Sequence, residues 1–309
     1  MADKAKVKFK NSVVIVGEIV DLDLKNETRK KKTNNEEYTV INGTISVKTD
    51  DQNVQNLRVW YMEKFNNGNI NRNYTTAHGW LNEIAAAEAK GEPNPVIGRR
   101  IQMGTNISPN VFISNGSTVK TYQIGAGFIE TNPQRIGSDK SEFAVDAVIT
   151  KDLTPEVDRE TEQETGRFFL EAEIADYRGV LFPVRFVIEN EGGVKYLNSL
   201  PKPSVVEIWG DVVNTVITRT QTTENAFGEA HVQEINSTTR ENIIKGASTE
   251  TRDMDELLEQ AITEGRQAFN VSVAQAEDAA KNAGGNAFNA SPAANTASKP
   301  AAKAGEFNF

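Results

Sequence analysis

Tyr196-Leu-Asn-Ser-Leu-Pro-Lys-Pro-Ser-Val-Val-Glu-Ile-Trp-Gly210 decides how this chain reads. A short helix candidate spans 194–200, and Pro201 and Pro203 end it, since proline cannot donate a helical hydrogen bond. A strand candidate, 205–217, follows and carries Gly210. The same order stands upstream. Trp80, Ile84 and Ala87 fit helical spacing within 76–90; Pro93, Pro95 and Gly98 break it; a strand with Gly104 comes next.

Working outward, short runs of Val, Ile, Thr and aromatics broken by Gly, Asn, Asp and Pro fall into two series. The first predicts strands at 13–24, 38–48, 56–65, 99–113 and 118–130; the second, at 143–150, 167–175, 180–188, 205–217 and 231–238. Each series has its helix between strands three and four. That is the order of the five-stranded oligonucleotide-binding (OB) barrel. Element order also suits a pair of small β-sandwiches. The fold expected is mainly β, two five-stranded OB-type barrels in tandem with short helices and a disordered C-terminal tail. The barrels occupy 1–131 and 142–247, joined by a Pro/Gly/Asn/Ser-rich linker at 131–141. Residues 248–309 read as an amphipathic helix plus a disordered acidic tail. Asp253 with Glu256 has capping-box spacing, and Met254, Leu257, Leu258, Ala261 and Ile262 form its apolar stripe. From about Val271 the chain is Ala-, Asn- and Ser-rich and is expected to lack structure.

The 309 residues contain no cysteine and two histidines, His78 and His231, far apart in sequence. Thiolate metal sites and cysteine nucleophiles are thereby excluded, and no histidine pair stands at ligand spacing. No phosphate loop or nucleophile elbow occurs. Gly125 and Gly127 form a GxG without a third glycine, which a bent strand explains. No enzyme activity, cofactor or metal is expected. No apolar run reaches the roughly 20 residues of a membrane helix, and the N-terminus lacks a signal-peptide core. A cytoplasmic protein is expected, with no membrane partner.

Net charge is −9, with five Lys/Arg against nine Asp/Glu from Ser248 onward. Phosphate binding depends on the local field rather than that sum. Lys4, Lys6, Lys8 and Lys10 form one basic cluster; Arg29, Lys30, Lys31 and Lys32 form another. In 56–65, alternation sets Leu57, Val59 and Tyr61 against Arg58, Trp60, Met62 and Lys64. The second set joins cations to a tryptophan, which is what a single-strand platform requires: rings stack bases while cations neutralise phosphates. A shift of one residue would instead bury Trp60 and expose Tyr61. Lys48, Arg72, Tyr74, Phe112, Lys120 and Tyr122 complete the candidate surface of the first unit. The second unit is less suited, because Glu171 and Glu173 line its second strand and acids fill 156–164. Trp209 reads as core.

The chain resembles the single-stranded DNA-binding proteins of bacteria and their phages. Val14-Ile-Val-Gly-Glu-Ile19 opening a barrel and Tyr196–Gly210 carry that resemblance, together with a low-complexity tail and its acidic-aromatic tip. Two barrels in one chain look like a phage- or plasmid-type version. The resemblance implies sequence-nonspecific binding and protection of single-stranded DNA during replication, recombination or repair. It also implies recruitment of replication or recombination proteins through Glu306, Phe307 and Phe309, although a single acid departs from the family's more acidic tip. Self-association is a further expectation. An acidic tail would compete with DNA for a basic groove, so deleting 248–309 is expected to tighten binding at low salt. The alternative is a structural or interaction β protein, of a virion or replisome, with little direct DNA contact.

Overall fold

Val13, Ile15 and Ile19 lie along β1 (Asn11–Lys30) and are fully buried, as a pleated strand against a core requires. The computed structural model describes residues 7–31, 34–158, 161–224 and 230–282. β1 pairs antiparallel with β2 (Glu37–Lys48), and β2 with β3 (Val54–Met62). α1 (Arg72–Glu88) follows, then β4 (Arg100–Thr105), which pairs with the first part of β1. β5 (Ile107–Ser114) and β6 (Ser117–Ile124) make a separate hairpin, and β7 (Phe128–Glu130) pairs with β4. A parallel bridge from Arg58 to Gly125 and the 2.8 Å bond from the Ala126 amide to the Arg58 carbonyl join β3 to the run into β7. The ring β1-β2-β3-β7-β4 thus closes on β1, in OB strand order.

The second ring repeats the first. β8 (Lys140–Ile149) pairs with β10 (Glu164–Ala175) and β12 (Ser204–Glu224), and β10 with β11 (Leu181–Ile188). β13 (Ala230–Arg252) runs parallel to β11 and antiparallel to β12, closing the barrel. β9 (Thr154–Val157) adds to β10, and α2 (Glu191–Ser199) sits between β11 and β12. The Asn190 side chain accepts from the Gly192 and Gly193 amides and so caps α2.

The barrels are fused through their first strands. β1 pairs antiparallel with β8 from Asn11↔Val145 to Val16↔Lys140, and one apolar cluster runs through both units. Buried amides reinforce the seam. Asn53 donates 3.0 Å to the Val212 carbonyl and accepts 2.9 Å from the Asn214 amide, while Gln55 donates 2.8 Å to both Asn53 and Val212. Asn11 donates to the carbonyls of Ile107 and Ala175, each at 2.8 Å. α3 (Glu256–Asn282) then packs Leu258 and Ile262 on Val148, Ala175, Leu181 and Val205, outside the second barrel. Among the described residues no helix is long and apolar enough to cross a membrane.

Several expectations are corrected. The strands predicted at 99–113 and 118–130 each divide. Gly127 marks one break, since a Cβ there would stand 2.1 Å from the Gly104 carbonyl oxygen. The polar loop expected at 220–229 begins as strand, and β13 continues to Arg252. Asp255, not Asp253, caps α3, accepting 2.8 Å from the Leu258 amide. The helix passes Val271 and reaches Asn282. Phe269 and Val273 are buried, with the Phe269 ring centred 6.5 Å from that of Phe182, and alanine is the best helix former. Most of the acid attributed to the tail lies before Ala283; residues 283–309 carry Lys299, Lys303 and Glu306.

Candidate nucleic-acid interface

Leu57 and Val59 are fully buried and Tyr61 is 3% exposed, so Trp60 points outward and is 44% exposed. The Tyr61 hydroxyl donates 2.9 Å to the Gly127 carbonyl, which pins the register, and burial pushes its phenol pKa upward. Three outward rows cross β1, β2 and β3: Lys25–Asn42–Trp60, Asp23–Thr44–Arg58 and Asp21–Ser46–Asn56. The face is therefore cationic and aromatic at the Trp60 end and acidic along β1.

Arg29 belongs to β1, not to a loop, and pairs across the hairpin with Tyr38. Its guanidinium carbon lies 4.9 Å from the Trp60 ring centroid, within cation–π range. The same group donates at 2.9 and 2.7 Å to one oxygen of Glu27. That hydrogen bond holds the Glu27 carboxyl below the usual carboxylate range. Lys31 bonds Glu36 at 2.8 Å and Lys30 lies 3.4 Å from Glu37, so acids accompany this arm. Lys32 lies outside the described residues.

Arg58, Lys64 and Arg72 are exposed and make no ion pair among the described residues, as is true of Lys25, which sequence reading passed over. Asn42 and the exposed Phe65, Ile70 and Phe128 were also left out of the sequence-based site. Lys48 is outward but six positions from Asn42, about 20 Å along a strand. It bonds Asp51 at 2.8 Å, which raises its pKa.

Four expected members do not join this face. Tyr74, 9% exposed, sits on the inner side of α1 with Ala77 and Trp80, stacked on His78 at 5.7 Å. A ring buried there cannot receive a base. Lys120 and Tyr122 share one face of the β5–β6 hairpin with Thr118, whose hydroxyl donates 2.8 Å to Glu277 of α3. Asn242 of the second barrel donates 2.8 Å to the Tyr122 hydroxyl, and burial raises that phenol's pKa. Phe112, half-buried, is on the hairpin's other face beside Val119. No hydrogen bond, ion pair or ring contact ties these residues to Trp60 among the described residues. The tip residues Glu306, Phe307 and Phe309 lie outside the described residues.

Trp209 is the other correction. It is 41% exposed, because Val206 and Ile208 take the inward positions of β12. Its indole lies on Gly246, where a Cβ would come within 2.5 Å of the ring. Lys10, Ser12, Trp209, Asp211 and Lys245 line a groove of about 480 Å³ along the seam.

A family described as YorF matches residues 10–283. No curated protein matches. Among solved structures, the wild-type single-stranded DNA binding protein from Thermus aquaticus is similar with a TM-score of 0.45 and 12% identity, covering 81% of this chain and 97% of that one. A deletion mutant of the same protein gives 0.44 and 12%, covering 80% and 98%.

Proposed function

The chain belongs to the YorF family, and from the outer face of its first barrel we propose that it binds single-stranded DNA without sequence preference. One observation carries the reading: an exposed Trp60 ring in an outward row with Lys25, beside Arg58, under the Arg29 guanidinium. An unpaired base has a free π face for such a ring; a base in a duplex is already stacked on both sides. Stacking contributes about 1–3 kcal/mol per base whatever the base, which accounts for sequence tolerance. Arg58, Lys64, Arg72 and Lys25 supply charge for phosphates, and Arg29 adds a further cation beside the ring.

Coating of strands exposed in replication, recombination or repair is the role we attach to this face. Recruitment of proteins by Glu306, Phe307 and Phe309 belongs to the same proposal. Deleting 283–309 should leave oligo-dT affinity unchanged and remove any partner held by the tip. Self-association is proposed with it, and sedimentation reads it directly. The acids on the Arg29 arm favour a second reading, an accessory β protein that scarcely touches DNA.

Titration with oligo-dT, duplex DNA and RNA at several salt concentrations separates the two. Preference for oligo-dT over duplex, with affinity falling as salt rises, is expected from counterion release. Absence of binding or of a salt slope would favour the accessory reading.

A further inference from the structure

The two barrels can be aligned by register, counting outward pairs from the turn that joins their second and third strands. Lys48↔Val54 closes that turn in the first barrel, and Ala175↔Leu181 in the second. Ser46/Asn56 then corresponds to Glu173/Pro183, Thr44/Arg58 to Glu171/Arg185, and Asn42/Trp60 to Phe169/Val187. The position of Trp60 is thus held by Val187, 3% exposed and paired with Ile243. The ring in that row is Phe169, on the neighbouring strand, half-buried and under the Arg185 guanidinium.

The turn end of the face is covered from within the chain. Ala175 and Leu181 are buried beneath Leu258 and Ile262 of α3. Arg266 of α3 grips both carboxylate oxygens of Glu173, at 2.6–3.1 Å. Arg185 lies 3.2 Å from Glu171, its guanidinium carbon 4.9 Å from the Phe169 centroid. Arg167, near the same end, meets Glu156, Glu189 and Glu241 at 3.3, 3.5 and 2.5 Å. Each arginine along this surface already has a carboxylate, whereas Arg58 has none among the described residues. α3 also reaches the first barrel's hairpin through Glu277 and Thr118.

Resting on the DNA-binding reading above, we infer that the chain takes up one strand per two barrels, at the first barrel, and that the matching face of the second, its turn end covered by α3 and its cations paired with acids, takes none. The helix covers the turn end of that face, with Arg266 pairing Glu173, while the position matching Arg58 is held by an exposed Arg185–Glu171 pair whose acid would repel phosphate. The duplicated barrel serves as a scaffold that orients the first barrel and its hairpin.

Calorimetric titration with an oligo-dT of about eight nucleotides, within the roughly 4–16 that an OB barrel occupies, tests this. The full chain should bind one equivalent. Trp60→Ala should weaken that event at least fivefold and reveal no second one. Arg185→Ala, exposed and outside the proposed interface, should alter neither stoichiometry nor affinity by more than twofold. Two equivalents, or one equivalent insensitive to Trp60→Ala and weakened by Arg185→Ala, would overturn the inference while leaving DNA binding intact. No binding by the unaltered chain would overturn both.

Discussion

Replacing Glu27 by glutamine should tighten DNA binding, and the structure sets the size of the effect. Glu27 accepts both Arg29 bonds on one oxygen and so neutralises the cation that lies over Trp60. Glutamine keeps the shape, removes the charge, and leaves Arg29 free to meet a phosphate. One added phosphate contact on a single strand steepens the slope of log K against log salt by about 0.7. Referred to 1 M salt, that is about a fivefold gain at 0.1 M. Oligo-dT titrations of both proteins from 0.05 to about 0.5 M salt read it out. The two lines should differ in slope and converge towards high salt. Equal slopes would refute the view that Glu27 masks a DNA-binding cation. Because Glu27's pKa is lowered in the folded chain, the Arg29 pairing persists above that value and is lost only as pH falls through it. Between pH 6 and 8 the difference between the proteins should therefore be constant.

Tyr74→Ala should act on stability rather than on the interface, costing about 3–5 kcal/mol as buried aromatic truncations do, measurable by urea unfolding. Asn53→Ala should cost about 1–3 kcal/mol, since it strips the acceptor from the buried Asn214 amide at the barrel seam. Removing 256–309 should destabilise the second barrel, as Leu258 and Ile262 each contribute about 1.5–3 kcal/mol by burial. Deleting 248–309 also cuts β13, so it is not a clean test of the tail; removal of 283–309 is.

The barrels were legible because OB strands carry a period of two against a core. Leu57, Val59 and Tyr61 announced their inward face, and Trp60 its outward one. The same alternation in Val206 and Ile208 would have set Trp209 outside, had the neighbouring Gly210 not suggested close packing. Tyr74 belongs to the stripe of Ala77 and Trp80, and Asn71, whose side chain accepts from the Asn73 amide, marks where α1 starts. Starting the helix at Thr76 left that tyrosine in a loop. β12 beyond Ile217 is rich in Thr, Gln and Glu and shows no hydrophobic alternation, so that end of the strand read as loop, whereas 231–238 of β13 read as strand. Alanine-rich sequence after Val271 resembled low complexity, yet Phe269 and Val273, four apart, were anchors enough. Nothing in β1 signals that residues 13–16 serve both β4 and β8, because pairing at a seam uses backbone groups. Sequence therefore gave Trp60 and Arg58, but not the partners Lys25 and Glu27 that three-strand register sets around them.

Tryptophan fluorescence during oligo-dT titration tests stacking on Trp60 most directly, since Trp80 is 3% exposed and only Trp60 and Trp209 offer open rings. In a Trp209→Phe background the quenching should persist, and in a Trp60→Phe background it should largely vanish. Quenching that follows Trp209 instead would contradict the account and move the DNA to the barrel seam.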